Sequence, residues 1–126
     1  MFISRDKLVE EVNAIYSECS SPDWDGYGAE PISEMSYRNT LKFVNLLFDE
    51  LPDKLINVDP GADPDGACNL YFYSDQKNIL SISISIDSKL DYAGFHKGEK
   101  FLGSECLVNE IPDDLLKRIV NYCQTN

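Results

Sequence analysis

The stretch LSISISI, residues 80–86, constrains this chain more than any other, because its alternation is unbroken. Successive side chains of a β-strand point to opposite faces, so Leu80, Ile82, Ile84 and Ile86 share one face and Ser81, Ser83 and Ser85 the other. Wound as a helix, the same aliphatic residues would be split between two opposite sides. The segment reads as a half-buried strand, and strands with one wet face belong to antiparallel sheets.

The flanking sequence supplies partners for it. Residues 67–73 form a second strand, with Cys68, Leu70 and Phe72 on one face and Asn69, Tyr71 and Tyr73 on the other. SDQKN, residues 74–78, is the hairpin turn between the two. Residues 55–58 read as a short first strand, and DPGADPDG, residues 59–66, as a run of turn formers. After turns at Asp87-Ser88 and HKGE, residues 90–95 and 101–108 complete a meander of four to five strands.

Helical periodicity brackets this meander. Ser4 is a helix N-cap ahead of a stripe of Leu8, Val12, Ile15, Tyr16 and Cys19, and Pro22 ends that helix. Ser33 caps a second helix running to about Leu51, with Tyr37, Leu41, Val44, Phe48 and Leu51 on its apolar side. Pro112 opens a last helix whose first turn carries Asp113 and Asp114 and whose apolar face carries Leu116, Ile119, Val120 and Cys123. The expected fold is α+β: two N-terminal helices, an antiparallel meander and a C-terminal helix, with the helices on the aliphatic face of the sheet. A length of 126 residues suits one domain, 1–126, around one core.

Twenty-two Asp and Glu against eleven Lys and Arg give a net charge of -11, which repels nucleic acid and anionic membranes and attracts basic proteins. No secretory leader and no apolar run long enough to cross a bilayer is visible, so a cytoplasmic location is expected. Cys19, Cys68, Cys106 and Cys123 lie far apart without a C-x-x-C pair, a pattern of reduced core cysteines rather than of zinc or redox chemistry.

The catalytic inventory is short. His96 is the only histidine, no G-x-S-x-G elbow accompanies it, and neither phosphate-binding glycine motif occurs, so no catalytic residue, metal or cofactor is assigned. Asp59, Asp63 and Asp65 crowd an acidic turn, but EF-hand spacing would put Gly61 and Phe72 at ligand positions, so a proline-stiffened turn is the better account. PDWDGYGAEPIS, residues 22–33, holds the only tryptophan and reads as the joint between the first two helices. In that joint Asp23 and Asp25 accept backbone N–H bonds, Gly26 and Gly28 supply positive φ, and Trp24 and Tyr27 pack beneath the helices.

WDGYGAEPIS, with FVNLLFDELPD, DPDGACNLYFYSD, LSISISID, DYAGFH and IPDDLLKRIV after it, resembles a group of small bacterial proteins marked by a W-D-G-Y-G-A-x-P-I stretch. The resemblance spans roughly residues 22–120. It implies a bacterial or phage origin and a small α+β domain, and brings no catalytic residue with it.

The function expected from these features is a non-enzymatic binding or regulatory module that neutralises or chaperones a basic protein partner. Its binding residues are expected in the joint, at Trp24, Asp25 and Tyr27, and on the outer face of the sheet, at Tyr71, Tyr73, Ser81, Ser83 and Ser85. The same sheet face is a candidate homodimer contact. The alternative is a small hydrolase or ligand-binding enzyme working through the Asp23/Asp25 loop.

Overall fold

A computed structural model describes residues 2–75 and 78–123. The described residues form an α+β fold of three helices and a five-stranded antiparallel meander. The first helix, α1, spans Arg5–Glu18, and the Ser4 hydroxyl accepts from the Lys7 N–H at 3.1 Å, satisfying one of the N–H groups a helix start leaves open. The second, α2, spans Glu34–Glu50 and is capped alike by Ser33, which accepts from the Ser36 N–H at 3.0 Å. The third, α3, spans Asp113–Val120, with Asp113 and Asp114 at its positive end and Lys117 and Arg118 at its negative end.

The strands are β1, Val58–Ala62; β2, Cys68–Asp75; β3, Asn78–Ile84; β4, Lys89–His96; and β5, Glu99–Cys106. They lie in the order β1-β2-β3-β4-β5, each antiparallel to its neighbour in sequence. Registers Phe72↔Leu80, Leu70↔Ile82 and Cys68↔Ile84 bring Tyr92 and Leu90 alongside as the partners of Ile82 and Ile84, so one face carries a continuous apolar layer. Apart from Cys68, which packs with Cys19 and Ile32, those side chains are buried in one cluster with Leu8 and Val12 of α1, Phe43, Val44 and Leu47 of α2, and Leu115 and Ile119 of α3. Burying one such Leu, Ile or Phe stabilises by about 1.5–3 kcal/mol, so this layer is the main source of cohesion.

On the same face, two glycines of β4 and β5 are covered by aromatics from the strand opposite. A Cβ on Gly103 would lie 2.4 Å from the Tyr92 ring, and one on Gly94 would lie 2.8 Å from Phe101. Arg118 of α3 stacks on the Phe101 ring, 4.2 Å from its centroid.

Four expectations from the sequence are corrected. The first strand is β1, Val58–Ala62, rather than residues 55–58: 55–57 are not strand, and residues 59–62 are strand rather than turn, because Pro60 stands on the edge strand and Gly61 lets Asn69 and Tyr71 close over the backbone. The strand of alternating residues stops at Ile84: Ser85 N–H bonds to Lys89 O at 3.0 Å to close the next turn, leaving Ile86 63% exposed. α3 is fully buried at Leu115 and Ile119, with buried Tyr122 just beyond its end; Leu116 and Cys123 pack partly buried against the same core, as expected, but Val120 is exposed. Tyr122 fixes that rotation by donating its hydroxyl to the Phe95 carbonyl at 2.7 Å, and burial pushes its phenol pKa up. Finally, Cys19 and Cys68 are buried but Cys106 is exposed. The expected turn at 74–78 lies partly outside the described residues.

Candidate functional site

The joint between α1 and α2 is held by its own polar groups. Asp23 Oδ1 accepts from Gly28 N–H at 2.6 Å, and Asp25 Oδ1 accepts from Tyr27 N–H at 2.8 Å and Ala29 N–H at 3.1 Å. Asp23, Gly26 and Gly28 adopt φ of 62°, 77° and 84°, a left-handed path natural to Asp and Gly. Trp24 is half-buried against the Cys19, Ile32 and Cys68 cluster and donates Nε1–H to Glu30 O at 2.7 Å. Tyr27 does not pack beneath the helices: it is 93% exposed, because the paired glycines swing it outward.

This loop rests on the acidic turn between β1 and β2. Glu30 N–H donates to Pro64 O at 2.8 Å and Ser33 N–H to Gly66 O at 2.9 Å. Gly66 has φ of 94°, and a Cβ there would stand 3.0 Å from Pro31 O, so the contact requires glycine.

The turn's carboxylates point to separate partners. Asp59 accepts from the Tyr73 hydroxyl at 2.9 Å, Asp65 from Ala67 N–H at 3.1 Å, and Asp63 from both Asn69 Nδ2 and Ser83 Oγ at 2.5 Å. The Asp59 bond holds the Tyr73 phenol pKa above its ordinary value. Among the described residues no group of three His, Cys, Asp or Glu side chains is placed to hold a metal ion. A recess of about 500 Å³ between α1 and β1 is lined by Ile3, Lys7, Glu11 and Val58, and includes neither Asp23, Asp25 nor His96. His96 ends β4 with its ring edge-on to Tyr122 at 5.9 Å.

The outer face of the sheet gathers the other candidates. Register sets three rows across it: Tyr73, Ile79, Phe95 and Lys100; Tyr71, Ser81, Ala93 and Leu102; and Asn69, Ser83, Asp91 and Ser104. The first two rows make an aromatic and aliphatic strip, and the third is polar. Tyr71 and Ser81 are direct neighbours as the sequence suggests, but Tyr73 faces Ile79 and Ser83 faces Asn69. Ser85 lies beyond β3, where its hydroxyl bonds Asp87 and accepts from Lys89 N–H at 3.0 Å, which makes it a turn residue. The Ser85 bond also holds the Asp87 carboxyl below its ordinary pKa.

Ile79, Phe95 and Leu102 escaped the sequence reading of this face. Adjacent Phe101 and Leu102 within one strand were the available signal, since two neighbouring apolar residues cannot both face the core. Comparisons with family models, curated proteins and solved structures gave no match to this chain. No helix among the described residues is long and apolar enough to cross a membrane.

Proposed function

We propose that this chain is a non-enzymatic binding module, of bacterial or phage origin and acting in the cytoplasm, that holds a basic protein partner against the outer face of its sheet. With the helices gathered on the aliphatic face, the opposite face is left to the partner. The observation that carries the reading is the apolar strip, where Tyr71, Ile79, Phe95 and Leu102 are 40%, 39%, 47% and 76% exposed on adjoining strands. Contiguous apolar surface of this kind marks interaction sites, whereas scattered single residues do not.

Chemistry beside the strip favours a cationic partner. Asp59 and Asp91 flank it, and the chain's net charge of -11 draws a basic protein from a distance. Tyr71 and Tyr73 supply broad contact area at small entropic cost, and Ser81 and Ser83 leave it wettable in the free protein. Self-pairing face to face is the weaker reading, because it sets two acidic rims against each other. The joint around Trp24, Asp25 and Tyr27 supports the fold from the far end, its carboxylates committed to backbone N–H groups.

The test is affinity capture on immobilised protein, comparing the native chain with Tyr71→Ser/Phe95→Ser/Leu102→Ser and with Tyr27→Ser. Basic proteins held by the native chain and by Tyr27→Ser, released by salt and missed by the triple variant, are the expected outcome. Retention of the same proteins by the triple variant would overturn the assignment.

A further inference from the structure

The two edges of the sheet are built differently. Leu107 N–H donates to Ser88 O at 2.8 Å, in register with the pair Lys89↔Cys106. Hydrogen-bonded pairs alternate along an antiparallel ladder, so Glu99, Phe101, Gly103 and Glu105 turn their backbone groups toward β4. Lys100, Leu102, Ser104 and Cys106 turn theirs to the free edge. At the opposite edge, the bond from Tyr73 N–H to Asn57 O at 3.0 Å fixes the same parity and leaves Val58, Pro60 and Ala62 facing outward. Pro60 has no N–H to offer, which blunts that edge against further pairing. β5 contains no proline, and among the described residues no bond reaches its outward N–H groups.

Charge is also unevenly spread. Residues 1–96 carry 17 carboxylates against seven Lys and Arg, whereas residues 97–126 carry five against four. Most of the acidic excess falls in residues 1–65, 14 carboxylates against five Lys and Arg, so the open edge lies in a nearly neutral part of the sequence, where a second, equally acidic copy meets little repulsion.

We propose that β5 is a homodimer edge, with two copies pairing their β5 strands antiparallel about Gly103 into one ten-stranded sheet. All four outward residues then find partners: Lys100 faces the partner's Cys106, and Leu102 faces the partner's Ser104. Phe101 faces the partner's Glu105, which comes within reach of the Arg118 guanidinium stacked on that ring. The register one step away sets Glu99 against the partner's Glu105, like charges directly opposed, and is disfavoured. This edge pairing is independent of the outer-face assignment and leaves that face open, so the dimer would present it twice.

Light scattering and sedimentation over the micromolar range test the idea on the full chain. The mass should climb from 14.3 kDa toward twice that value with concentration. Leu102→Pro removes an outward N–H and no bond within one copy, and should stay monomeric. Arg118→Glu and Glu105→Arg should each weaken the dimer about tenfold, and the combined variant should regain most of the loss. Amide exchange on the native protein guards against a misfolded variant: the Lys100, Leu102 and Ser104 amides should slow as concentration rises. A mass fixed at the monomer value, a dimer that survives Leu102→Pro, or edge amides indifferent to association would each refute it.

Discussion

Cys68 and Cys106 lie at opposite extremes of one sheet, and the contrast follows from which way each strand residue points. Cys68 is fully buried on the aliphatic face, and burial pushes its thiol pKa up from 9.0 to about 11. Cys106 is exposed on the open edge strand. At mildly alkaline pH a disulfide reagent should label Cys106 at once and Cys68 only as fast as the protein unfolds. The raised pKa also sets a pH dependence. The folded chain holds the Cys68 proton more tightly than the unfolded chain, so this contribution is complete below about pH 9 and disappears as pH rises through about 11. Urea midpoints should therefore fall across that interval, and Cys68→Ala should remove this part of the decline. Gly61 shows the same dependence on direction: a Cβ there would stand 2.6 Å from Asn69 Oδ1, so β1 can pass close beneath that side chain only as glycine.

Between elements, the apolar layer is supplemented by polar joins from residues without an apolar signal. Ser36 of α2 is fully buried, and its Oγ accepts from Cys68 N–H at 2.8 Å while donating to Ile84 O at 2.5 Å. It bridges the facing ends of β2 and β3 and ties both to the helix. Asn39, one turn on, donates to Ser85 O at 2.9 Å. Ser36→Ala should cost about 2 kcal/mol in urea unfolding, since it leaves a buried N–H and a buried carbonyl without their shared partner.

The sequence exposed much of this architecture because alternation and capping are local: LSISISI, Ser4 and Ser33 announce their roles within a few residues. The faces of α3 could not be settled that way. Leu115 and Leu116 are adjacent, and what chooses between them is the bond from Tyr122 to Phe95 in a distant strand. The outer strip was half legible for the same reason, since Tyr71 marks it in the sequence whereas Phe95 and Leu102 join it only through the registers of β4 with β3 and β5.

For the molecule as a whole, charge is a burden on stability as well as a means of attraction. The ion pairs found among the described residues are Arg38–Glu34 at 2.9 Å and Lys89–Asp91 at 3.9 Å, both solvent-exposed, so most of the acidic excess is left to repel itself. Moderate salt screens that repulsion, and the melting temperature should rise as sodium chloride goes from about 10 mM to about 0.5 M. A falling melting temperature would mean that the attractive pairs outweigh the excess.

The strand order has a consequence for how the protein reaches its folded state. Every strand pairs with its neighbour in sequence, so the sheet can grow hairpin by hairpin, each step closing a short loop on a part already formed. Chains with such local topology face small entropic barriers and reach the native state fast for a sheet protein. Because all four strand pairs are hairpins, growth can begin at any of them, and β5 need not wait for β1.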